Sequence, residues 1–270
     1  MLLWCVGLFV FYNSSANLEL ARKRLKPLAN RIKNVENRRT YDWKNGNSNN
    51  LEVVGFMSLR LEGGGTMKIV ALGDSLTVGE SEFDLSDSGQ PTSYPKYLEI
   101  LAEEHLHSLQ SNVKVNVLNR GINGDLTSGM LERFSRDVVD EKADYVIILG
   151  GANDIGWGFD PALIAHNLAT MYDAALNKGI GAVACSVPSI LGFDELIPPR
   201  LHLNKMIRTE AEMRSITFVD LFTATADPRT NRLSEDYSAD GLHLNIKGYQ
   251  QMGKCIFDKW LRALLDQHTK

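Results

Sequence analysis

The spacing of apolar positions changes character at Met67. Downstream of it, short apolar runs alternate with longer segments in which apolar residues recur every three or four positions. The runs predict strands over 68–72 (KIVAL), 113–118 (VKVNVL), 144–149 (DYVIIL), 180–187 (IGAVACSV) and 216–220 (ITFVD). Helical spacing covers roughly 94–109, 126–139, 161–178, 200–214 and 246–266. Asp160-Pro161 marks a helix start, an N-cap followed by a proline at the first position. Near-continuous apolar strands are buried on both faces, so the alternation implies a parallel sheet covered by helices on each side, a three-layer α/β domain. No internal repeat is evident.

Upstream, the pattern is different. Residues 1–12 (MLLWCVGLFVFY) are apolar but short for a bilayer span. They resemble a signal-peptide core, with Ser14-Ser15-Ala16 as a cleavage site, yet no basic residue precedes them. A cytoplasmic location is therefore the expectation, with secretion or periplasmic export through residues 1–16 as the alternative. Residues 40–50 are polar and Asn-rich, which reads as linker or disorder. We expect 1–66 to be an N-terminal extension, partly disordered, and 67–270 to be the functional domain. The purine-rich codons of Glu62-Gly63-Gly64-Gly65 just before Met67 resemble a ribosome-binding site, which makes Met67 the expected natural start.

Charge sharpens this division. The 270-residue chain has a formal net charge of −4, but residues 1–66 carry +5 and the remainder −9. The first part reads as a solvated basic tail, with a membrane or polyanion contact as the alternative. The acidic remainder gives no reason to expect a nucleic-acid surface. Cys5, Cys185 and Cys255 are widely spaced with no CxxC pair, neither a disulfide framework nor a zinc site.

Chemistry enters at the end of the first predicted strand, where the apolar run stops at Gly73-Asp74-Ser75-Leu76. A serine just past a parallel strand sits at the carboxyl edge of the sheet, where open α/β folds build their sites. A serine hydroxyl needs a base within hydrogen-bond reach to act as a nucleophile. Ser75 and Thr77 could instead simply cap the following helix. Of the six histidines, His243 alone lies in a Gly-containing loop after the last strand, and Asp240, three residues earlier, can orient its imidazole. Two further loops follow strand ends: Arg120-Gly121-Ile122-Asn123-Gly124-Asp125 and Gly150-Gly151-Ala152-Asn153-Asp154. A glycine N–H and an asparagine amide are what an oxyanion hole requires. Each loop alone also reads as ordinary turn chemistry.

These four blocks together resemble the GDSL, or SGNH, hydrolase family. Gly73-Asp74-Ser75-Leu76 matches its first block, Ile122-Asn123-Gly124-Asp125 its second, Gly151-Ala152-Asn153-Asp154 its third and Asp240-Gly241-Leu242-His243 its last. Gly121 is an alternative register for the second block. Leu244 departs from the proline of many relatives. The resemblance covers 67–270 and implies a flavodoxin-like α/β/α fold with five parallel strands in the order 2-1-3-4-5. It also implies an ester hydrolase that needs no metal or other cofactor. Ser75 would be the nucleophile, His243 the base and Asp240 its partner. Ser75 N–H, Gly124 N–H and the Asn153 side chain would form the oxyanion hole, with Asp74 and Asp154 anchoring loops behind them.

Substrate is less legible. Trp157, Phe159 and the apolar loop Val187–Arg200, including Pro188, either line an acyl pocket or belong to core and lid packing. The polar connection 80–93 contains no large lipase-type lid. The expected partner is a small-molecule ester with a short acyl or acetyl group. Carbohydrate O-acetyl esters, thioesters or lysophospholipids are alternatives, as is a non-catalytic binding module on the same fold. No nucleic acid or stable membrane insertion is expected, and the sequence does not reveal the oligomeric state.

Overall fold

The structure, a computed structural model, describes residues 65–79 and 93–268. The expectations for 1–64, and for all of 80–93 but Ser93, lie outside the described residues. Five strands form one parallel sheet: β1 Thr66–Gly73, β2 Lys114–Gly121, β3 Tyr145–Leu149, β4 Gly181–Cys185 and β5 Thr217–Val219. Their spatial order is β2-β1-β3-β4-β5. Every residue of β3 is buried, and β1 is buried from Ile69 through Gly73, as their unbroken apolar sequence requires. β1 begins one residue before Met67, and the Gly65 carbonyl accepts the Lys114 N–H at 2.9 Å.

The long helices follow the predicted spacing, and three short ones of four or five residues fall outside it. They are α1 Ser75–Val78, α2 Tyr94–Ser108, α3 Thr127–Phe134, α4 Ala152–Gly156, α5 Pro161–Leu176, α6 Ile197–Met213, α7 Leu221–Thr225, α8 Ile246–Ile256 and α9 Arg262–His268. A π-turn over Ser135–Val139 extends α3, and another over Phe257–Leu261 joins α8 to α9. Asp160 caps α5 as expected, its carboxylate accepting the Ala162 N–H at 2.9 Å. α2 and α8 pack together over one face of the sheet, while α5 packs against α3 and α6 on the other. Gly253 permits the first contact, since a Cβ there would lie 2.8 Å from that of Tyr97.

One boundary differs from the expectation. α6 starts at Ile197, not at 200, because Pro198 and Pro199 occupy its first turn, where no proline N–H is needed. The apolar loop after β4 is correspondingly shorter.

Register places the chemistry. Gly73 pairs with Gly121 of β2 and with Leu149 of β3, so the carboxyl ends of the three strands lie level. The strand order switches at β1, with β2 on one side and β3 on the other, and a crevice opens at the carboxyl edge of such a switch point. Among the described residues no helix is long and apolar enough to cross a membrane.

Candidate active site

Ser75 follows a tight turn. A Cβ on Gly73 would sit 2.1 Å from Thr77 Oγ1 and 2.5 Å from the Leu149 carbonyl, so only glycine fits there. Asp74, in extended conformation, caps α1: its Oδ1 accepts the Leu76 N–H at 2.9 Å. Capping therefore falls to Asp74, which leaves the Ser75 hydroxyl for another partner. That partner is His243, whose Nε2 lies 3.1 Å from Ser75 Oγ. Ser75 is also the first residue of α1, where a backbone N–H has no acceptor within the helix.

His243 is held by its own loop. Asp240 Oδ2 lies 2.8 Å from His243 Nδ1, while Oδ1 accepts the N–H groups of Leu242 at 2.9 Å and His243 at 2.7 Å. Partial burial pushes the Asp240 carboxyl up, but the hydrogen bonds from the His243 ring and backbone outweigh it and bring it down to about 2. An ionised Asp240 at Nδ1 keeps the proton there and turns the Nε2 lone pair toward Ser75. Gly241 shapes this turn with φ of +91°, and its carbonyl accepts the Leu191 N–H at 2.8 Å. Leu244 is fully buried and pairs with Ser238 in an antiparallel bridge.

The loop after β2 separates the two candidate glycines. The Gly121 N–H already donates to Asn119 Oδ1 at 3.0 Å, and a Cβ on Gly121 would meet the Val78 nitrogen at 2.4 Å. Gly121 is thus committed to packing. Gly124 sits on an exposed turn closed by the Asp125 N–H to the Ile122 carbonyl, at φ of +73° and with open space around its Cα. Asn153, at the start of α4, donates from Nδ2 to the Asp125 carbonyl at 2.9 Å and to Asp74 Oδ2 at 3.4 Å. The second bond is at the limit of useful length, so that N–H can be redirected to a better acceptor.

Both flanking aspartates are buried. Asp154 receives the Thr127 N–H at 3.1 Å and its hydroxyl at 2.7 Å, which fastens the start of α3 to α4. Asn167 extends this link, donating to Thr127 Oγ1 at 3.1 Å. Burial raises the Asp154 carboxyl. Burial also raises Asp74, to about 6, against the Leu76 hydrogen bond and the attraction of Arg200.

The four pocket candidates separate by burial. Trp157 is 49% exposed and Phe159 lies partly buried against the core. Val187 and Pro188 are buried, and Asn204 brackets Val187 with bonds of 2.7 Å to its N–H and 2.9 Å to its carbonyl. Asn204 and Arg200 were not foreseen from sequence. Arg200, 1% exposed, donates from Nη1 to the Pro188 carbonyl at 2.7 Å and so supports the same loop. On an amphipathic helix such residues read as solvent-facing, and no sequence signal distinguishes them. A cavity of about 320 Å³ bounded by Tyr145, Gly181, Thr217 and Trp260 lies at the amino ends of β3 to β5, the edge opposite Ser75.

Comparison with known proteins bears on the family and the fold. Residues 71–251 match the GDSL-like lipase/acylhydrolase family. An acetylxylan esterase of Geobacillus stearothermophilus is 22% identical over 219 residues, covering 73% of this chain and 96% of the relative. The uncharacterized lipoprotein YqeF of Bacillus subtilis (strain 168) is 37% identical over 101 residues, and the match spans only 37% of that relative's length. The crystal structure of a lipase/acylhydrolase from Enterococcus faecalis superposes with a TM-score of 0.58 at 26% identity, covering 74% of this chain and 96% of that one.

Proposed function

The chain belongs to the GDSL-like lipase/acylhydrolase family, and from that membership we propose that it is a serine ester hydrolase working through an acyl-enzyme on Ser75. The observation that carries the proposal is the continuous path from Ser75 Oγ to His243 Nε2 at 3.1 Å and from His243 Nδ1 to Asp240 at 2.8 Å. Ser75 Oγ attacks the ester carbonyl as His243 takes its proton. Asp240 stabilises the imidazolium, whose proton then passes to the leaving alcohol. The tetrahedral oxyanion is held by Ser75 N–H, Gly124 N–H and the Asn153 amide, which gives up its long contact with Asp74. Water, activated by the same histidine, releases the acid. Asp74 and Asp154 act behind these groups, anchoring the turns that carry them.

The substrate is a small-molecule ester with a short acyl or acetyl group. An acetyl group on a carbohydrate is the second reading, supported by likeness to a named acetylxylan esterase along nearly all of that protein's length. Labelling with a fluorophosphonate followed by mass spectrometry tests the first claim: an adduct on Ser75 is expected, and none would sink it. Turnover on p-nitrophenyl esters of increasing chain length, beside acetylated sugars, separates the two substrate readings. A preference for long acyl chains would overturn both.

A further inference from the structure

Arg133 lies on α3, outside every block the sequence singled out, and is only 8% exposed. A buried guanidinium is costly unless its donors are satisfied. Here the satisfied donors reach the three chain segments that carry the site. Nη2 donates to the Gly73 carbonyl at 2.8 Å, two residues before Ser75. Nη1 donates to the Arg120 carbonyl at 2.8 Å, near the end of β2, and to Asp137 Oδ2 at 2.7 Å. Nε donates to Asp125 Oδ2 at 2.8 Å, beside Gly124.

Two further bonds close the frame. The Gly73 carbonyl that Arg133 holds also accepts the Ile122 N–H at 3.0 Å, at the start of the Gly124 turn. The Asp125 that Arg133 holds accepts the Asn153 amide on its backbone carbonyl at 2.9 Å. One planar cation therefore connects the nucleophile turn, the Gly124 turn and the Asn153 side chain.

We propose that Arg133 is a positioning residue for ester hydrolysis, setting the distance between Ser75 and the two oxyanion donors, Gly124 and Asn153. The proposal rests on the ester-hydrolase reading above. A lysine keeps the charge but not the fork, because its ammonium is a single point that cannot reach Gly73, Arg120 and Asp125 at once. Oxyanion stabilisation depends steeply on such placement. A displacement of about 1 Å at a catalytic group costs about 100-fold in rate.

The test is Arg133→Lys in the full chain, assayed on p-nitrophenyl acetate beside wild type, with near-ultraviolet circular dichroism as the check on folding. The expected result is a kcat lowered about 100-fold with KM near wild type. The pH profile of kcat/KM keeps its position, because nothing in the clamp touches His243. A merely structural role predicts a lower melting temperature with kcat intact, and that result overturns the proposal. So does a rise in KM with kcat unchanged. If Arg133→Lys does not fold, Asp125→Asn is read the same way, since it weakens the Nε limb and keeps the side-chain volume. Wild-type turnover with unchanged variants removes the clamp alone. A wild type with neither turnover nor a Ser75 adduct removes the ester-hydrolase reading and the clamp with it.

Discussion

Replacing Asp74 with asparagine should make the protein's stability less dependent on pH. Asp74 is 1% exposed, and burial raises its carboxyl from the ordinary 3.8 to about 6. The unfolded chain releases this proton near 3.8 and the folded chain holds it to about 6. Between those values the folded state binds more protons, so wild-type stability falls as pH rises through the window. At about 1.4 kcal/mol per tenfold change in proton affinity, the loss is roughly 3 kcal/mol and is complete above about pH 6. That figure already contains the attraction of Arg200, named among the influences on Asp74. Asparagine keeps an oxygen for the Leu76 N–H and removes the charge, but it loses the weak contact from Asn153, worth about 1 kcal/mol at most. Asp74→Asn should therefore gain roughly 3 kcal/mol on wild type between pH 3.5 and pH 7.5, whatever its constant offset. Urea unfolding followed by tryptophan fluorescence across that range measures the difference, and the other titrating groups cancel in it. A difference between variant and wild type that stays flat with pH would show that Asp74 is not desolvated as its burial indicates.

Other expectations are simpler to check. Ser75→Ala should abolish hydrolysis of p-nitrophenyl acetate and leave the melting temperature nearly unmoved, since Asp74 supplies the α1 cap; residual turnover at wild-type kcat would remove Ser75 as nucleophile. Asn153→Ala should lower kcat by roughly 10²–10³ if its amide binds the oxyanion, and an unchanged kcat would exclude it from that role. Gly241→Ala puts a Cβ 2.5 Å from the Leu191 carbonyl at φ of +91°, which should cost about 1–3 kcal/mol and displace His243; thermal melting and kcat together report it, and wild-type values for both would mean the turn relaxes freely. A chain starting at Met67 loses the bond from Lys114 N–H to the Gly65 carbonyl, about 1 kcal/mol; it should remain soluble and active, and aggregation on expression would count against Met67 as a start.

What could be read from sequence follows from which features are periodic. The buried runs of β1 and β3 and the Asp160-Pro161 cap are local, and local physics fixes them. α4 and α7 span five residues each, too few for helical spacing to register. The start of α6 was displaced because two prolines read as loop until their place in a first turn is known. In the candidate site, Ser75, Asp240 and His243, which the structure brings within hydrogen-bond reach of one another, were legible as candidates because each stands at a strand end or in a glycine turn. Their order along the chain matches the order of those loops. Gly124 was favoured over Gly121 by resemblance alone; the physical reason, an Asn119 side chain that takes the Gly121 N–H, has no mark in the sequence. Arg133 and Arg200 were hidden for a related reason. Helical periodicity sorts residues by polarity, so a buried guanidinium is assigned to the wrong face. Such residues persist in a core only where backbone carbonyls or carboxylates pair with them. Carbonyls free to accept collect where strands end, and in this fold the carboxyl ends of the strands lie at the edge that carries Ser75. The two buried arginines, Arg133 and Arg200, are thus drawn toward the edge of Ser75 by the same topology that places Ser75 there.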